Sequence, residues 1–154
     1  MGNHEIKPLI QKSIQVVNAQ AKKRNINIST KFPKGLGLIL LDPDRIIQVM
    51  TNLLSNAIKF SPDNDTIFIE AFKNGHHEIH VKVKDNGPGI DKADEKIIFD
   101  KFVSLGHKKG KSKSSGLGLA ISKDIIEHHK GKIWVENEKD MGAVFCFSLP
   151  NISS

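Results

Sequence analysis

Three short stretches of this chain carry residue types and spacings that could do chemistry. Asp85-Asn86-Gly87-Pro88-Gly89-Ile90 sets one carboxylate ahead of two glycines at the end of an alternating, strand-like run. Glycine tolerates positive φ and close backbone approach, so a carboxylate fixed in such a turn could accept a hydrogen bond from an adenine amine. An ordinary Asp-Asn-Gly turn is the bland alternative. Asn52, Asn56 and Lys59 stand at i, i+4 and i+7 and project from one helical face. Carboxamide oxygens suit Mg²⁺, a hard cation, and lysine offsets phosphate charge; alone, the triplet reads equally as the polar side of a surface helix. Ser115-Gly116-Leu117-Gly118-Leu119-Ala120-Ile121 opens a later helix, whose unpaired N–H groups and dipole favour an anion.

The two standard phosphate loops fail. Gly106–Ser112 resembles a Walker loop, but three residues separate its glycines where four are required, and no strand precedes it. Gly116 and Gly118 begin a G-x-G-x-x-G pattern whose last position is Ile121. Anion binding by these stretches must therefore use another architecture.

The elements that would position these groups follow from periodicity. Ile6, Leu9, Ile10, Ile14, Val17 and Ala21 predict an amphipathic helix over about residues 5–24. Ile26, Ile28, Thr30 and Phe32 alternate like a strand. Asp42-Pro43 is a helix start, acidic cap then proline, for a helix with Ile46, Ile47, Met50, Leu53, Leu54, Ala57 and Ile58 on its apolar stripe. Strands over Thr66–Lys73 and Glu78–Lys84 flank a turn at Asn74-Gly75. Asp91–Phe99 reads as a short helix, residues 103–115 as a mobile loop, and Gly116–His129 as a helix stopped by Lys130-Gly131. Strands Lys132–Asn137 and Ala143–Leu149 close the chain around Asp140 and Gly142. This order implies an α+β fold: a two-layer sandwich with a mixed, mainly antiparallel five-stranded sheet covered on one face by three main helices.

Composition sets the outer bounds. The chain of 154 residues suits one domain, and no apolar run approaches the ~18 residues of a membrane span. Its formal charge is +6, with Lys108, Lys109, Lys111 and Lys113 clustered in the mobile loop. Basic balance fits nucleic acid, acidic membrane or phosphate; no RNA-reading aromatic motif or zinc-finger spacing supports nucleic acid, and the flanking glycines favour nucleotide phosphate. The single cysteine, Cys146, lies in an apolar Phe-Cys-Phe run and reads as a buried structural thiol in a reducing compartment.

Taken together these stretches resemble one family. Asn52–Pro62, Asp85–Ile90, Ile97–Phe102 and Ser115–Ile121 occur in the order and spacing of the asparagine, first glycine, phenylalanine and second glycine boxes of histidine protein kinases, and Leu41–Leu54, His128–Asn137 and Gly142–Pro150 are similar too. The resemblance runs from about Ile6 to Pro150. It implies the ATP-binding catalytic domain of a two-component sensor kinase, with the Bergerat (GHKL) fold shared by gyrase, Hsp90 and MutL and a mobile ATP lid over residues 103–115.

Carried over by position, the resemblance implies that Asn56 ligates Mg²⁺, that Asn52 assists at the phosphates and that Lys59 contacts phosphate, these three being the catalytic set. Asp85 would hold the adenine amine, with Gly87, Gly89 and Ile90 shaping the pocket and Phe60 packing its ring there. Phe99 and Phe102 would anchor the lid, and Ser115, Gly116, Leu117, Gly118 and Leu119 would present the second glycine box to the phosphates. Three departures stand out: Phe60 where tyrosine is frequent, Ser114-Ser115 for the commoner Gly-Thr, and Val144 for a frequent threonine. None replaces a principal ligand.

The implied function is transfer of the γ-phosphate of Mg-ATP to a histidine on a separate helical hairpin, and indirectly to a response regulator. His4-Glu5-Ile6-Lys7-Pro8-Leu9 resembles the acceptor box but is one residue short, so His4 reads as incidental and the chain as a catalytic fragment without acceptor or sensor domains, monomeric and cytoplasmic, with no nucleic-acid or direct membrane contact. Two other enzyme classes compete, a GHKL ATPase and an anti-sigma-type serine kinase. Both look for a glutamate general base one turn before the metal asparagine, where this chain has Asn52. A degenerate nucleotide-binding module is the non-enzymatic alternative.

Overall fold

A computed structural model describes residues 1–75, 77–95, 97–100, 118–138 and 142–151. Among them the elements run β1 (Gly2–His4), α1 (Ile6–Lys23), β2 (Asn27–Lys31), β3 (Ile39–Leu41), α2 (Pro43–Phe60), β4 (Thr66–Asn74), β5 (Glu78–Lys84), α3 (Lys92–Glu95), α4 (Gly118–His128), β6 (Lys132–Glu138) and β7 (Gly142–Pro150). The five-stranded sheet has the order β2-β4-β5-β7-β6. β2 and β4 are parallel and the other three pairs antiparallel; the crossover through α2 returns the chain in the direction of β2, whereas the short connection from β4 to β5 reverses it.

α1 buries Ile6, Leu9, Ile10, Ser13, Val17 and Ala21, the stripe expected of its period. Ser13 enters this apolar face because its hydroxyl donates to the Leu9 carbonyl at 2.8 Å. α2 starts as its sequence dictates: the Asp42 side chain accepts the Asp44 N–H and Pro43 occupies the first turn. It buries Ile46, Val49, Met50, Leu53, Leu54, Ala57 and Ile58, and packs against α1 on one side and α4 on the other. The ends of α2 and α4 are joined by His129, whose Nε2 accepts the Asp42 N–H at 3.0 Å while Nδ1 bonds the Ile125 carbonyl at 2.7 Å. On the sheet, alternate residues Ile67, Ile69 and Ala71 of β4 and Ile79, Val81 and Val83 of β5 are buried. With Phe145, Phe147 and Leu149 of β7 they join the core under the helices.

Both α1 and α4 end in a Schellman motif. Ile26 N–H donates to Ala21 O and Asn25 N–H to Lys22 O; Gly131 N–H donates to Ile126 O and Lys130 N–H to Glu127 O. The left-handed residue is Asn25 (φ 54) in one and Lys130 (φ 63) in the other. Glycine is the usual choice at that position, yet in α4 it stands one residue later. A Cβ on Gly131 would lie 2.0 Å from the Ser148 carbonyl oxygen, so close approach of the chain to β7 demands glycine there. Gly131→Ala is expected to lower stability by about 1–3 kcal/mol, while Lys130→Gly is expected to leave it unchanged or raise it by up to about 1 kcal/mol; urea denaturation of both variants checks the pair.

Several expectations need correction. The helix expected over Asp91–Phe99 is regular only over Lys92–Glu95, after which turns with bonds such as Ile98 N–H to Asp94 O carry the chain on. The helix expected over Gly116–His129 is described over Gly118–His128, and its expected start at Gly116 lies outside the described residues. β1 and β3 form a second, two-stranded sheet with His4 opposite Ile39; runs of three residues are too short for an alternation to show. The loop expected over 103–115 lies outside the described residues. No helix among the described residues is long and apolar enough to cross a membrane.

Cys146 is buried, as its apolar flanks imply. Burial and the neighbouring Glu136 carboxylate, which accepts from the thiol at 3.4 Å, push its pKa well up, so it has the character of a packed thiol and not of a nucleophile.

Candidate nucleotide site

The carboxylate expected to act first is also the most enclosed. Asp85 follows β5 and is 3% exposed. Its Oδ1 accepts the Gly87 N–H at 2.9 Å and the Ala143 N–H at 3.3 Å. Burial pushes its pKa up, and the two backbone donors oppose this without cancelling it. Both donors address Oδ1, so Oδ2 is an acceptor that no described residue engages. An enclosed carboxylate with one oxygen fixed and the other open is suited to a neutral N–H donor such as an exocyclic amine, since hydrogen bonding to a buried acceptor offsets its desolvation.

The turn beyond Asp85 is shaped by backbone contacts. A Cβ on Gly87 would stand 2.4 Å from the Phe60 carbonyl oxygen, at the C-terminal end of α2, and Gly89 has φ +81°. Gly142 (φ +87°) lies under the same turn, where a Cβ would be 2.1 Å from the Asp85 carbonyl oxygen. Ala143 accepts the Asp85 N–H at its carbonyl and returns its own N–H to Oδ1, bracketing the residue from β7. Sequence reasoning missed Gly142 and Ala143 as site residues. Gly142 was legible only as a turn glycine, and nothing local indicated that it faces Asp85. Asn86 was missed as well: its Nδ2 donates to Asp65 Oδ1 at 2.8 Å and to the Thr66 carbonyl at 3.1 Å, holding the turn against the start of β4.

On α2, Asn52, Asn56 and Lys59 are half-buried along the rim of the apolar stripe. The carboxamide of Asn56 has no hydrogen-bond partner among the described residues. Lys59 Nζ lies 5.6 Å from the Phe60 ring centroid. Asn52 behaves differently: its Nδ2 donates to the Gly118 carbonyl and to Ser122 Oγ, both at 3.2 Å, and Ser122 in turn donates to Gly118 O at 2.9 Å. This tie brings the first turn of α4 against α2 and joins the asparagine stretch to Gly118. Leu119 and Ile90 are buried, and the Phe99 ring meets Phe145 of the sheet edge-on at 6.3 Å between centroids. Phe102, Ser115, Gly116 and Leu117 lie outside the described residues.

The donor set has a definite metal preference. Among the described residues no group of three or more His, Cys, Asp or Glu is placed to hold an ion. The carboxamide oxygen of Asn56, without a partner among the described residues, fits Mg²⁺ that brings its remaining ligands as phosphate and water.

Residues 41–152 match the family described as histidine kinase-, DNA gyrase B-, and HSP90-like ATPase. Adaptive-response sensory kinase SasA of Synechocystis sp. is 34% identical over 145 residues, which cover 94% of this chain and 38% of that protein. SasA of Synechococcus elongatus is 32% identical over 143 residues, 93% of this chain and 37% of that protein. The chain thus spans under two-fifths of the curated relatives it matches. Among solved structures, the catalytic domain of histidine kinase ThkA superposes with a TM-score of 0.83 at 30% identity, covering 97% of this chain and 94% of that one. Full-length ShkA in complex with AMPPNP gives 0.84 at 27% identity, with 97% of this chain and 30% of that one covered. ThkA in complex with the response regulator protein TrrA gives 0.80 at 29%, covering 97% and 41%.

Proposed function

Because the chain belongs to the histidine kinase-, DNA gyrase B-, and HSP90-like ATPase family, and within it resembles the ThkA catalytic domain over nearly its whole length, we propose that it binds Mg-ATP and transfers the γ-phosphoryl group to a histidine on a separate helical-hairpin domain. The observation that carries this reading is the combination of Asp85, enclosed and with one oxygen that no described residue engages, with the Asn56 carboxamide on α2, which has no partner among the described residues. Asp85 receives the adenine amine, and Gly87, Gly89 and Ile90 let the base approach the turn. Asn56 would hold Mg²⁺ through its carboxamide oxygen, and Lys59 offsets the charge of the phosphates. When bound, Mg²⁺ neutralises phosphate charge and fixes the transferring group. Gly118 and Leu119, in the first described turn of α4, would present backbone amides to the phosphates together with Ser115, Gly116 and Leu117, and Phe99 and Phe102 would anchor the lid. The AMPPNP complex of ShkA and the response-regulator complex of ThkA support the same assignments of nucleotide and downstream partner here. The natural compartment is the cytoplasm, where ATP is available and a buried free thiol such as Cys146 stays reduced.

Asn52 supports the kinase reading over the ATPase. Water as acceptor requires a base or a strongly orienting group, whereas an imidazole brings its own lone pair. Asn52 is no base, and its amide is already bonded to the first turn of α4. The isolated domain is therefore expected to bind ATP in preference to GTP, to hydrolyse it slowly, and to phosphorylate a matching hairpin supplied in trans. Radiolabelled ATP with and without the hairpin tests this. Fast hydrolysis by the domain alone, lost in Asn56→Ala, would favour the ATPase, and equal affinity for GTP would remove the adenine assignment.

A further inference from the structure

We infer that Arg24, outside the family-matched segment and away from the proposed ligands, is a positioning residue for the nucleotide site, clamping the end of α2 so that the Asp85–Ile90 turn seats correctly. This rests on the reading of that turn as the adenine pocket. Arg24 follows the last residue of α1, and its side chain reaches across to the far end of α2. Nη1 donates to the Ile58 carbonyl and Nη2 to the Ser61 carbonyl, and Nε donates to Asp63 Oδ1 at 2.7 Å.

The last carbonyls of a helix have no intrahelical partners and carry its negative dipole end. A guanidinium placed there supplies two N–H donors in a fixed plane together with the favourable charge. The two clamped carbonyls bracket Lys59 and Phe60, and the Phe60 carbonyl is the atom against which Gly87 seats, with no room for a Cβ between them. A shift of that carbonyl toward the turn would push on Gly87, whose N–H holds Asp85 Oδ1. Arg24 is tied to the turn by a second route as well. Its own carbonyl accepts the Asn64 N–H at 3.0 Å, and the adjoining Asp65 accepts from Asn86 through Oδ1. The exposed partner Asp63 contributes little to this, since a surface ion pair holds weakly; the weight falls on the two carbonyls.

The test is titration of ATP in Mg²⁺ against wild type, Arg24→Ala, Arg24→Gln and Asp63→Ala, well below the lowest melting midpoint, with the Gly87 amide followed by ¹⁵N NMR without nucleotide. Arg24→Ala and Arg24→Gln are expected to weaken ATP binding about tenfold and to shift the Gly87 resonance. Asp63→Ala is expected to stay within about twofold of wild type. Arg24 variants that melt earlier yet keep wild-type affinity and an unmoved Gly87 resonance would overturn the inference and leave Arg24 a stability residue. If Arg24→Ala does not fold, Arg24→Gln, which retains an amide donor for one carbonyl, decides the matter alone. Failure of the wild type to bind ATP would remove the nucleotide reading itself, and the Gly87 resonance would still report whether the clamp sets the turn.

Discussion

Asp85→Asn is expected to weaken ATP binding by about ten- to a hundredfold while leaving the fold as stable as before, or more stable, at neutral pH. The amide oxygen can take over Oδ1 and keep the N–H bonds from Gly87 and Ala143. The amide nitrogen then replaces Oδ2 and sets a donor against the adenine amine, leaving both unsatisfied in an enclosed site. Stability moves the other way because burial raises the Asp85 pKa. With the folded pKa above the unfolded one, the native state binds more protons between the two values. Wild-type stability therefore falls as pH rises from the ordinary carboxylate range through the raised folded value, and the penalty is complete above it. Asparagine carries no such charge. The melting-point difference between variant and wild type should grow in the variant's favour from acid to neutral pH, and wild-type ATP affinity should decline on acidification before ordinary carboxylates titrate. Calorimetric titration and thermal melts at both pH values check this. Unchanged affinity, or a variant markedly less stable at neutral pH, would remove Asp85 from the adenine pocket.

Asn56→Ala is expected to cost the largest factor in phosphoryl transfer, on the order of a hundredfold or more in rate, because charge stabilisation and alignment carry most of such a reaction. The side chain is half-buried on a helix whose core stripe lies beside it, and among the described residues it bonds to nothing, so its removal should leave the melting midpoint within about a degree. The discriminating measurement is ATP affinity with Mg²⁺ and with chelator. Wild type should bind more tightly with Mg²⁺, Asn56→Ala should lose that increment, and the two should coincide in chelator. Equal affinities in saturating Mg²⁺ would make Asn56 a surface residue.

Much of this site could be read from the chain because it depends on local chemistry. Asp42-Pro43 caps a helix by its own side chain and ring, so α2 begins where the sequence says. A period of 3.6 places Asn52, Asn56 and Lys59 beside the buried stripe wherever that helix packs. The β4–β5 hairpin follows from alternation and a turn glycine at Gly75 (φ 74). The family boxes brought these pieces together in order.

What the sequence alone determined is thus the longer elements, their buried faces and the residue types offered to a nucleotide, since periodicity, caps and turn glycines act over a few residues. The tertiary structure decided what those residues touch. Ala143 reaches Asp85 across 58 positions, and Gly142 is forced by a backbone it meets only when β7 lies beside β5. Asn52, assigned from position to the phosphates, is bonded to α4 through Gly118 and Ser122, and Arg24, an ordinary basic residue by its neighbours, closes the end of α2. Gly131 carries the close approach while Lys130 takes the left-handed turn. Hydrogen bonds and steric contacts between segments far apart in sequence leave no periodic trace in either one, so they become visible only when packing sets the segments side by side.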